Sequence, residues 1–471
     1  MAKSNPGQYS KPGVYVEELS VLPPTVPQAE TALPAFLGYT QMAGENAGIN
    51  LQGVPRRISS MGEYENYFGT AAKEKGIQLN LQQSATGTPT GPIQATIHDP
   101  NPKLLYYSLQ AFFENGGSSC FVISLGDLDQ EPQLKDYQDG LLASTKEARI
   151  TLLCFPDAVR LLGEKDYYQL MGEAMLQCSQ LRSRFLLVDL QSPKADHHET
   201  LNQFRNGLSQ EEGLGFAAAY YPDVISRLDY AFEPEEVTVN LVDPTGRSNP
   251  QTISLKELKD INNALYFQCL SEIQSTLKPV LPPSPFIAGI YARVDGSRGV
   301  WKAPANVALQ TAQALKANIT QREQEQFNVD TVGGKSVNVI RQFPGRGILV
   351  WGARTLAGND NEWRYVPVRR FMIMVESSLR EPLERMGFEP NEAKTWIRAK
   401  AMTENFFMQL WRSGALQGQS PDEAFFVKCG LGETMTQNDF WEGRMILEMG
   451  LAVVKPAEFL ILRLTQKMKA P

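Results

Sequence analysis

The sequence has 471 residues, of which 42% are hydrophobic and 21% are charged, so it is long enough for two or three domains with real hydrophobic cores. Acidic residues outnumber basic ones by 52 to 45, and the net charge of −7 argues against a general nucleic-acid-binding protein, because neutralising phosphates needs a basic excess. No apolar run reaches the roughly 18 residues of a membrane-spanning helix, and the first residues lack the apolar stretch of a signal peptide. We therefore expect a soluble protein that is made in the cytoplasm.

The first 22 residues are predicted to form an extended arm. Prolines at 12, 23, 24 and 27 and glycines at 7 and 13 argue against a helix there. Residues 14–18, VYVEE, are β-prone, but a strand of four or five residues is not stable by itself. This strand therefore needs the edge of a sheet to pair with, either in its own chain or in another.

Short apolar runs alternate with helical patterns between residues 32 and 340. Strands are expected at 32–39, 120–125, 150–155, 185–190 and 215–221, and helices at 104–115, 167–181 and 256–274. Buried apolar strands separated by helices are typical of a mostly parallel sheet that is covered on both faces. Residues 237–242 and 252–255 flank the turn sequence DPTG and predict a hairpin. The proline-rich residues 278–285 predict a linker.

The last part of the chain has a different pattern. Apolar residues spaced three and four apart predict amphipathic helices over 368–386 and 391–413. Strands are expected over 347–353, 425–429, 445–453 and 459–464, followed by a loose basic tail at 465–471. We thus expect an α/β protein with an arm (1–22), an α/β domain (23–340) and a C-terminal α+β domain (341–471). Residues 23–103 are expected to pack partly with that last domain.

Charge is distributed unevenly along the sequence. Residues 341–471 contain 18 Lys+Arg and 15 Asp+Glu, a net charge of +3, which leaves −10 for the rest of the chain. One interpretation is that one end of the molecule meets an acidic surface, and the other is that these charges only solvate a mixed surface. Composition alone leaves both open.

The sequence contains no complete catalytic or ligand-binding motif. Residues 332–336, VGGKS, resemble the end of a phosphate-binding P-loop, but Val329 stands where that motif needs Gly, and a strand is predicted where the motif needs a helix. The five cysteines form no C-x-x-C pair, and the adjacent His197 and His198 lie in a polar stretch typical of a solvated loop. We therefore expect no enzymatic activity, no cofactor and no metal.

Eight short motifs along the chain, taken together and in this order, indicate a protein family. They are PGVYVEE at 12–18, FFENGG at 112–117, AYYP at 219–222, PPSPFIAGIYARVD at 282–295, RGVWKAPAN at 298–306, WGART at 351–355, VRR at 368–370 and PAEF at 456–459. In this combination the chain resembles the sheath proteins of contractile injection systems, which include contractile phage tails, R-type tailocins and phage-tail-like extracellular injection particles. It departs from them at Asp223, where the family often has Trp after its Y-Y-P.

The resemblance implies a scaffold and not an enzyme. It implies a subtilisin-like α/β domain without catalytic residues, which projects outward, and a C-terminal domain that faces an inner tube. Family members form six-subunit rings that stack into a helical cylinder around the tube, and contraction of this cylinder drives the tube through a target envelope. The implied partners are copies of the same chain, the inner tube protein, and baseplate and tail-terminator or cap proteins, without nucleic acid or membrane insertion. Such particles assemble in the cytoplasm and are phage tails, released particles or membrane-anchored ones.

The resemblance also assigns roles to particular residues. Val14, Tyr15 and Val16 of the arm are expected to pair with a strand of a neighbouring subunit. The residues expected in that partner strand are Phe459, Leu460, Ile461, Leu462 and Leu464. The pattern alone leaves open that both segments pair within one chain. The basic residues expected to contact the tube are Lys394, Arg398, Lys400 and Arg412.

Two other functions remain as alternatives. One is a terminal or baseplate-proximal sheath paralogue of the same particle, and the other is an α/β hydrolase. The hydrolase interpretation needs a pocket that gathers Asp, His and a nucleophile.

Overall fold

The computed structural model describes residues 26–44, 48–82, 91–191, 196–242, 251–330 and 333–468. The strands in these ranges are β1 (Pro34–Thr40), β2 (Arg56–Ile58), β3 (Ile77–Gln82), β4 (Gln94–Ile97), β5 (Cys120–Asp127), β6 (Leu152–Cys154), β7 (Phe185–Asp189), β8 (Ala217–Tyr221), β9 (Val224–Ser226), β10 (Thr238–Val242), β11 (Gln251–Ser254), β12 (Val280–Leu281), β13 (Val307–Ala308), β14 (Ala312–Leu315), β15 (Val337–Phe343), β16 (Gly347–Val350), β17 (Phe425–Lys428), β18 (Arg444–Leu451) and β19 (Leu460–Lys467). The α-helices are α1 (Met61–Phe68), α2 (Leu105–Glu114), α3 (Leu134–Ser144), α4 (Ala158–Leu161), α5 (Glu164–Leu181), α6 (His197–Gly207), α7 (Leu255–Ile261), α8 (Asn263–Thr276), α9 (Ser284–Arg298), α10 (Gln321–Asn328), α11 (Val366–Met386), α12 (Ala393–Arg412), α13 (Pro421–Ala424) and α14 (Gln437–Trp441).

The largest sheet has nine strands in the order β13-β16-β15-β8-β7-β6-β1-β5-β2. The six central strands, from β15 to β5, run parallel to one another, and the strands outside them, β16 and β2, pair with them in the antiparallel direction. Every residue of β1, β6, β7 and β8 is buried, as expected for apolar strands that helices cover on both faces. The predicted α/β class and its mostly parallel sheet are therefore confirmed.

The chain divides into two compact units, and the boundary between them in the sequence falls inside helix α11. The larger unit is Gln28–Ser377, and the smaller one takes Ser378–Pro471 together with Met1–Pro27, of which residues 26, 27 and 378–468 are described. The division between the units at 377/378 differs from the boundary expected at 340/341, a position that falls inside β15. Because β15 pairs with both β8 and β16, it is an integral part of the large sheet.

The smaller unit contains a three-stranded antiparallel sheet with helix α12 packed on it. The sheet has the order β17-β18-β19, and the ring of Phe407 on α12 contacts that of Phe425 on β17 at 5.7 Å between centroids. The positions whose spacing predicts the helix are all buried: Trp396, Ala399, Thr403, Phe406 and Leu410. The spacing of three and four therefore identified the side of α12 that faces the core.

Two helical segments differ from their predicted form. The helix expected over 256–274 is two helices, because Asn262 has extended backbone angles and its side chain accepts a hydrogen bond from the Leu265 amide, which starts α8. The linker expected over 278–285 holds the short strand β12 and the first turn of α9. Proline fits the first turn of a helix because the amides there have no partner within the helix.

A separate four-stranded sheet of the larger unit has the order β11-β10-β3-β4. The predicted hairpin is present as the antiparallel pair β10–β11, although its turn lies outside the described residues. Strands β3 and β10 run parallel to each other. The connections that come after them, over 83–93 and 243–250, therefore start from the same end of this sheet.

Candidate assembly surfaces

Strand β19 forms one edge of the sheet in the smaller unit. All of its residues, from Leu460 to Lys467, are paired with β18, and no strand within the described residues lies on its other side. An edge strand presents backbone amide and carbonyl groups to which a further strand can bond. The structure therefore offers an edge of eight residues at the position where a partner strand is predicted.

The side chains predicted for this strand alternate between the two faces of the sheet. Leu460 and Leu462 are buried, whereas Ile461 between them is 52% exposed. Leu464 is partly buried, and Phe459 lies just before the strand with its ring 5.3 Å from that of Phe426. An apolar area on the outer face of the sheet thus adjoins the open edge.

Residues 465–467, at the start of the tail predicted to be loose over 465–471, are in fact the end of β19, and residues 469–471 lie outside the described residues. The strand extends through Lys467, opposite Arg444 of β18. The alternation of partly buried and exposed residues continues at Thr465, Gln466 and Lys467. The leucines at 460, 462 and 464 show a period of two, but the polar residues at 465, 466 and 467 do not continue it, so no signal in the sequence marks the end of the strand.

The predicted arm residues Val14, Tyr15 and Val16 lie outside the described residues. Pairing between this arm and β19, within a chain or between chains, therefore stays a prediction.

The basic residues predicted to contact a tube all lie on helix α12: Lys394, Arg398, Lys400 and Arg412. At about 100° per residue, Lys394, Arg398 and Arg412 fall on one stripe away from the buried side of the helix, whereas Lys400 lies outside this stripe, at the margin of the buried side. We call Lys394, Arg398 and Arg412 the basic stripe. Its two end residues, Lys394 and Arg412, are exposed.

Ion pairs within the smaller unit already engage part of this set. Arg398 is paired with Glu389, and Lys400 Nζ lies 4.0 Å from Glu404 Oε1 one turn further along the helix. Exposed pairs of this kind contribute only about 0–1 kcal/mol each, so they leave the side chains free to exchange partners.

The net positive charge of the C-terminal sequence does not belong to the smaller unit. Residues 378–471 contain 12 Lys+Arg and 12 Asp+Glu, so their net charge is zero. The excess of three comes from 341–377, which belong to the larger unit and include the buried Arg369 and Arg370. An acidic partner surface therefore gains no support from net charge, and any electrostatic contact has to rely on the local basic stripe.

The edge of the parallel sheet where α/β proteins usually bind ligands is filled by a carboxylate of the chain itself. Ligands in such folds lie beyond the carboxyl ends of the strands, where the strand order reverses. Here the chain runs from β1 outward to β5 and then back across to β6, so the reversal lies between β1 and β6. Asp157, which comes after β6, accepts hydrogen bonds there from the amides of Leu104 and Tyr39 at 2.7 and 3.4 Å. It thereby accepts the hydrogen bond of a backbone amide at the start of α2. Amides at the start of a helix are the groups that bind phosphate in other α/β proteins.

A second buried carboxylate accepts hydrogen bonds from the start of helix α9. Asp189, at the end of β7, accepts hydrogen bonds from the amide and the hydroxyl of Ser284 at 2.8 and 2.5 Å. Burial raises the pKa of Asp157 and of Asp189 to about 7 in each case. Both aspartates thus anchor helix starts inside the fold.

This geometry does not resemble a hydrolase triad. Ser284 and Asp189 bond each other directly, and both are fully buried. Nδ1 of His197 lies 3.0 Å from the hydroxyl of Tyr221 and has no part in that pair. A triad instead needs the histidine between the nucleophile and the acid.

Lys335 and Ser336, the residues that resemble a P-loop, also bond within the protein. The Lys335 ammonium donates to the carbonyl oxygens of Arg205 and Leu208, and the Ser336 hydroxyl donates to that of Asn328. No group of three or more His, Cys, Asp or Glu side chains in the described ranges is arranged to hold a metal ion. Among the same residues, no helix is long and apolar enough to cross a membrane.

Helix α9, which the sequence pattern missed, is where several of the motifs meet. A Cβ atom on Gly289 would lie 2.6 Å from the carbonyl oxygen of Phe112 in the FFENGG motif, so the two helices are packed as closely as a glycine allows. Two residues further on, the hydroxyl of Tyr291 is bonded to that of Tyr220 in the AYYP motif. Asp295 is paired with Arg370 of the VRR motif. These four motifs therefore meet in one packed centre and not at a surface site.

Family models match two adjoining parts of the chain. Residues 242–356 match the phage tail sheath protein central domain, and residues 358–467 match the phage tail sheath C-terminal domain. No curated protein sequence matched the chain.

Solved structures are similar to this chain over nearly its whole length. The chain is 30% identical, with a TM-score of 0.61, to a chain of the anti-feeding prophage baseplate solved with sixfold symmetry, covering 98% of this chain and 99% of that one. It is 29% identical, also with a TM-score of 0.61, to the PVC sheath complex of an extracellular contractile injection system in the contracted state, covering 97% and 98%. A chain of the anti-feeding prophage baseplate in the contracted state is 25% identical with a TM-score of 0.67, covering 98% and 99%.

Proposed function

This chain belongs to the phage tail sheath family, and from that premise we propose that it is a structural, non-enzymatic subunit of a contractile sheath. In this proposal copies of the chain stack as six-subunit rings around an inner tube, in an extended state of high energy. Contraction of the sheath then drives the tube through a target envelope. The observation that carries the proposal is the similarity to a contracted sheath complex over 97% of this chain and 98% of that one.

The open edge of β19 is the proposed attachment point between subunits. Val14, Tyr15 and Val16 of one subunit add as a strand to this edge of another subunit. Each backbone hydrogen bond in such a ladder contributes about 0.5–1.5 kcal/mol net, and an edge of eight residues accommodates several of them. Because the arm and the edge are different surfaces, the contact propagates from ring to ring and does not close into a dimer.

The basic stripe on α12 is the proposed contact with the inner tube. A contact made of exposed ion pairs is weak for each subunit, and it becomes effective through repetition along the tube. Such a contact holds the tube during assembly and lets it slide on contraction. The other proposed partners are the baseplate and the terminator or cap proteins, and the particle is proposed to assemble in the cytoplasm.

Negative-stain electron microscopy of particles assembled with this chain tests the proposal. We expect striated cylinders in two forms, one long and narrow and the other short and wide. Smooth filaments of constant length, or a chain that stays monomeric in the presence of tube and baseplate, would contradict a contractile sheath.

Deletion of residues 1–20 tests the proposed link separately. The deleted chain should keep the circular dichroism spectrum and melting temperature of the intact chain and yet form no long cylinders. Full-length cylinders from the deleted chain would show that the arm is not the link.

A baseplate-proximal sheath paralogue is a second candidate, because the chain is also similar to chains in two baseplate structures. Immunogold labelling of an epitope-tagged chain distinguishes the two. Label along the whole cylinder supports the main sheath subunit, and label at one end only supports the paralogue.

A further inference from the structure

The first half of helix α11 carries three buried charged residues that none of the proposed surfaces uses. Arg369, Arg370 and Glu376 are 5%, 4% and 4% exposed. Removing a charge from water is costly unless the charge is paired and hydrogen-bonded. The partners of these side chains therefore identify what holds the helix in place.

Arg370 has the most extensive set of partners. Its Nη1 and Nη2 donate to the two carboxylate oxygens of Asp295 on α9, at 3.0 and 2.5 Å. Nη2 also donates to the carbonyl oxygen of Thr31 at 2.8 Å, and the guanidinium carbon lies 4.2 Å from the centre of the Tyr291 ring. Arginine alone offers this planar, two-pronged geometry, so lysine cannot replace all of these bonds.

Thr31 completes the cluster from the other side. Its hydroxyl donates to Asp295 Oδ2 at 2.6 Å, so both its backbone and its side chain are held. Two residues further on, the Leu33 amide donates to Thr151 Oγ1 at 2.7 Å, and β1 begins at Pro34. Residues 28–33, which lead from the N-terminal arm into the large sheet, are therefore fastened at the same carboxylate as α11.

The other two charges fix α11 on either side of this point. Arg182 donates to both carboxylate oxygens of Glu376, at 2.8 and 2.6 Å. The guanidinium of Arg369 stacks between the rings of Phe216 and Trp363, with its carbon 4.1 and 3.5 Å from their centres. Three directional contacts within three turns prevent the helix from rotating or sliding along its axis.

We propose that Arg370 and Asp295 couple the root of the N-terminal arm, residues 28–33, to helix α11, so that a displacement of either segment is passed to the other. The proposal rests on the proposed function, in which the arm and the C-terminal strand are the two links between subunits. Because α11 is the segment through which the chain enters the smaller unit, the cluster joins the residues that follow the arm to the helix that leads into the unit that contains β19. In this proposal, strain on one link during contraction is passed toward the other through this cluster.

Hydrogen exchange of the purified full-length subunit, followed by mass spectrometry, tests the coupling without any need for assembly. We expect R370K, which keeps the charge but not the two-pronged contact, to increase exchange at least tenfold in both 28–33 and 366–377. Exchange in β6, β7 and β8 should remain unchanged. R385K is the matched control, because Arg385 lies on the same helix and its ion pair with Glu381 is exposed.

A double variant separates coupling from overall stability. R370M leaves the Asp295 carboxylate buried without its cation and should lower the melting temperature, whereas D295L/R370M removes both charges and should recover most of that loss. Exchange over 28–33 should nevertheless stay raised in the double variant, since Thr31 has lost both partners. The coupling is wrong if R370K loosens only one of the two segments, or if exchange over 28–33 returns to the level of the unmodified chain in D295L/R370M. Neither result bears on whether the chain forms cylinders, which microscopy decides.

Discussion

The hydroxyl groups of Tyr220 and Tyr291 share a hydrogen bond of 2.7 Å where β8 meets α9, and both residues are fully buried. A buried hydroxyl without a partner is costly, whereas two apolar groups in the same place are not. The pair therefore specifies which face of α9 meets the sheet.

We expect Y220F to lower the free energy of unfolding of the larger unit by about 1–3 kcal/mol, because the Tyr291 hydroxyl is left without its partner. The double variant Y220F/Y291F should recover most of this loss. Urea denaturation of the four proteins of this double-mutant cycle measures the coupling. Additive losses in the double variant would mean that the bond does not carry the effect.

The contact between α2 and α9 predicts opposite results for two glycines of one helix. G289A should destabilise the larger unit by about 1–3 kcal/mol, since its Cβ would lie 2.6 Å from the Phe112 carbonyl oxygen. G296A should stabilise it by about 0.5–1 kcal/mol, because nothing lies within 4 Å of a Cβ there. Thermal unfolding of both variants checks this, and equal shifts would contradict the close packing.

The buried Asp189 predicts a pH dependence of stability. Its carboxyl group stays protonated in the folded chain up to its pKa of about 7, whereas the unfolded chain ionises near the ordinary value of 3.8. The folded state thus holds the additional proton between pH 4 and 7, so this contribution to the free energy of unfolding is present below that window and is lost as the pH rises through it.

D189N keeps an acceptor for Ser284 and removes the titration. We expect the stability advantage of the unmodified chain over D189N to be largest near pH 4 and to fall toward pH 7.5, as measured by urea denaturation at a series of pH values. D127N, which changes an exposed aspartate at the end of β5, should behave like the unmodified chain throughout. A pH profile of D189N that is parallel to the unmodified chain would refute the assignment.

Reversal of the basic stripe should weaken tube binding. We expect K394E/R398E/R412E to lower the amount of tube that co-sediments with assembled sheath, and added salt should produce a similar loss in the unmodified protein, because exposed charges are screened. The control is K165E, which reverses an exposed lysine on α5 of the larger unit. Equal tube binding by the triple variant and K165E would exclude the stripe as the contact.

Cysteine cross-linking decides whether the arm pairs within a chain or between chains. The native cysteines are all buried, so Y15C together with I461C should give disulfides only between the introduced residues. Pairing between subunits should produce a ladder of covalent multimers on a denaturing gel after oxidation of assembled cylinders. Pairing within a chain would give a monomer of altered mobility. L142C in place of I461C, at an exposed site on α3, is the control.

Residue spacing was enough to identify elements whose burial has a simple period. The apolar positions that predict α11, from Val368 to Met386, are all buried, as are those of α12. The apolar runs of β1, β7 and β8 were equally clear, because a strand covered on both faces needs apolar residues throughout. In each case the burial pattern of a single helix or strand is visible in residues that are close together in the sequence.

Features that depend on distant contacts were beyond the sequence pattern. The prolines before α9 indicate a break in structure, whereas the bonds from Ser284 to Asp189 and the close packing at Gly289 stabilise the next residues as a helix. The net charge of residues 341–471 indicated a basic domain, yet two of its arginines are buried as anchors of α11. Composition counts such a buried cation in the same way as an exposed one.

The four-stranded sheet has a practical consequence for engineering. Strands β3 and β10 run side by side in the same direction, so the chain leaves both of them at one end of that sheet. Peptides inserted after Gln82 and after Val242 would therefore emerge side by side, far along the sequence from both β19 and the basic stripe. A split affinity tag or a pair of binding peptides placed there would be displayed once per subunit, and the repeat of the cylinder would set the spacing of the array.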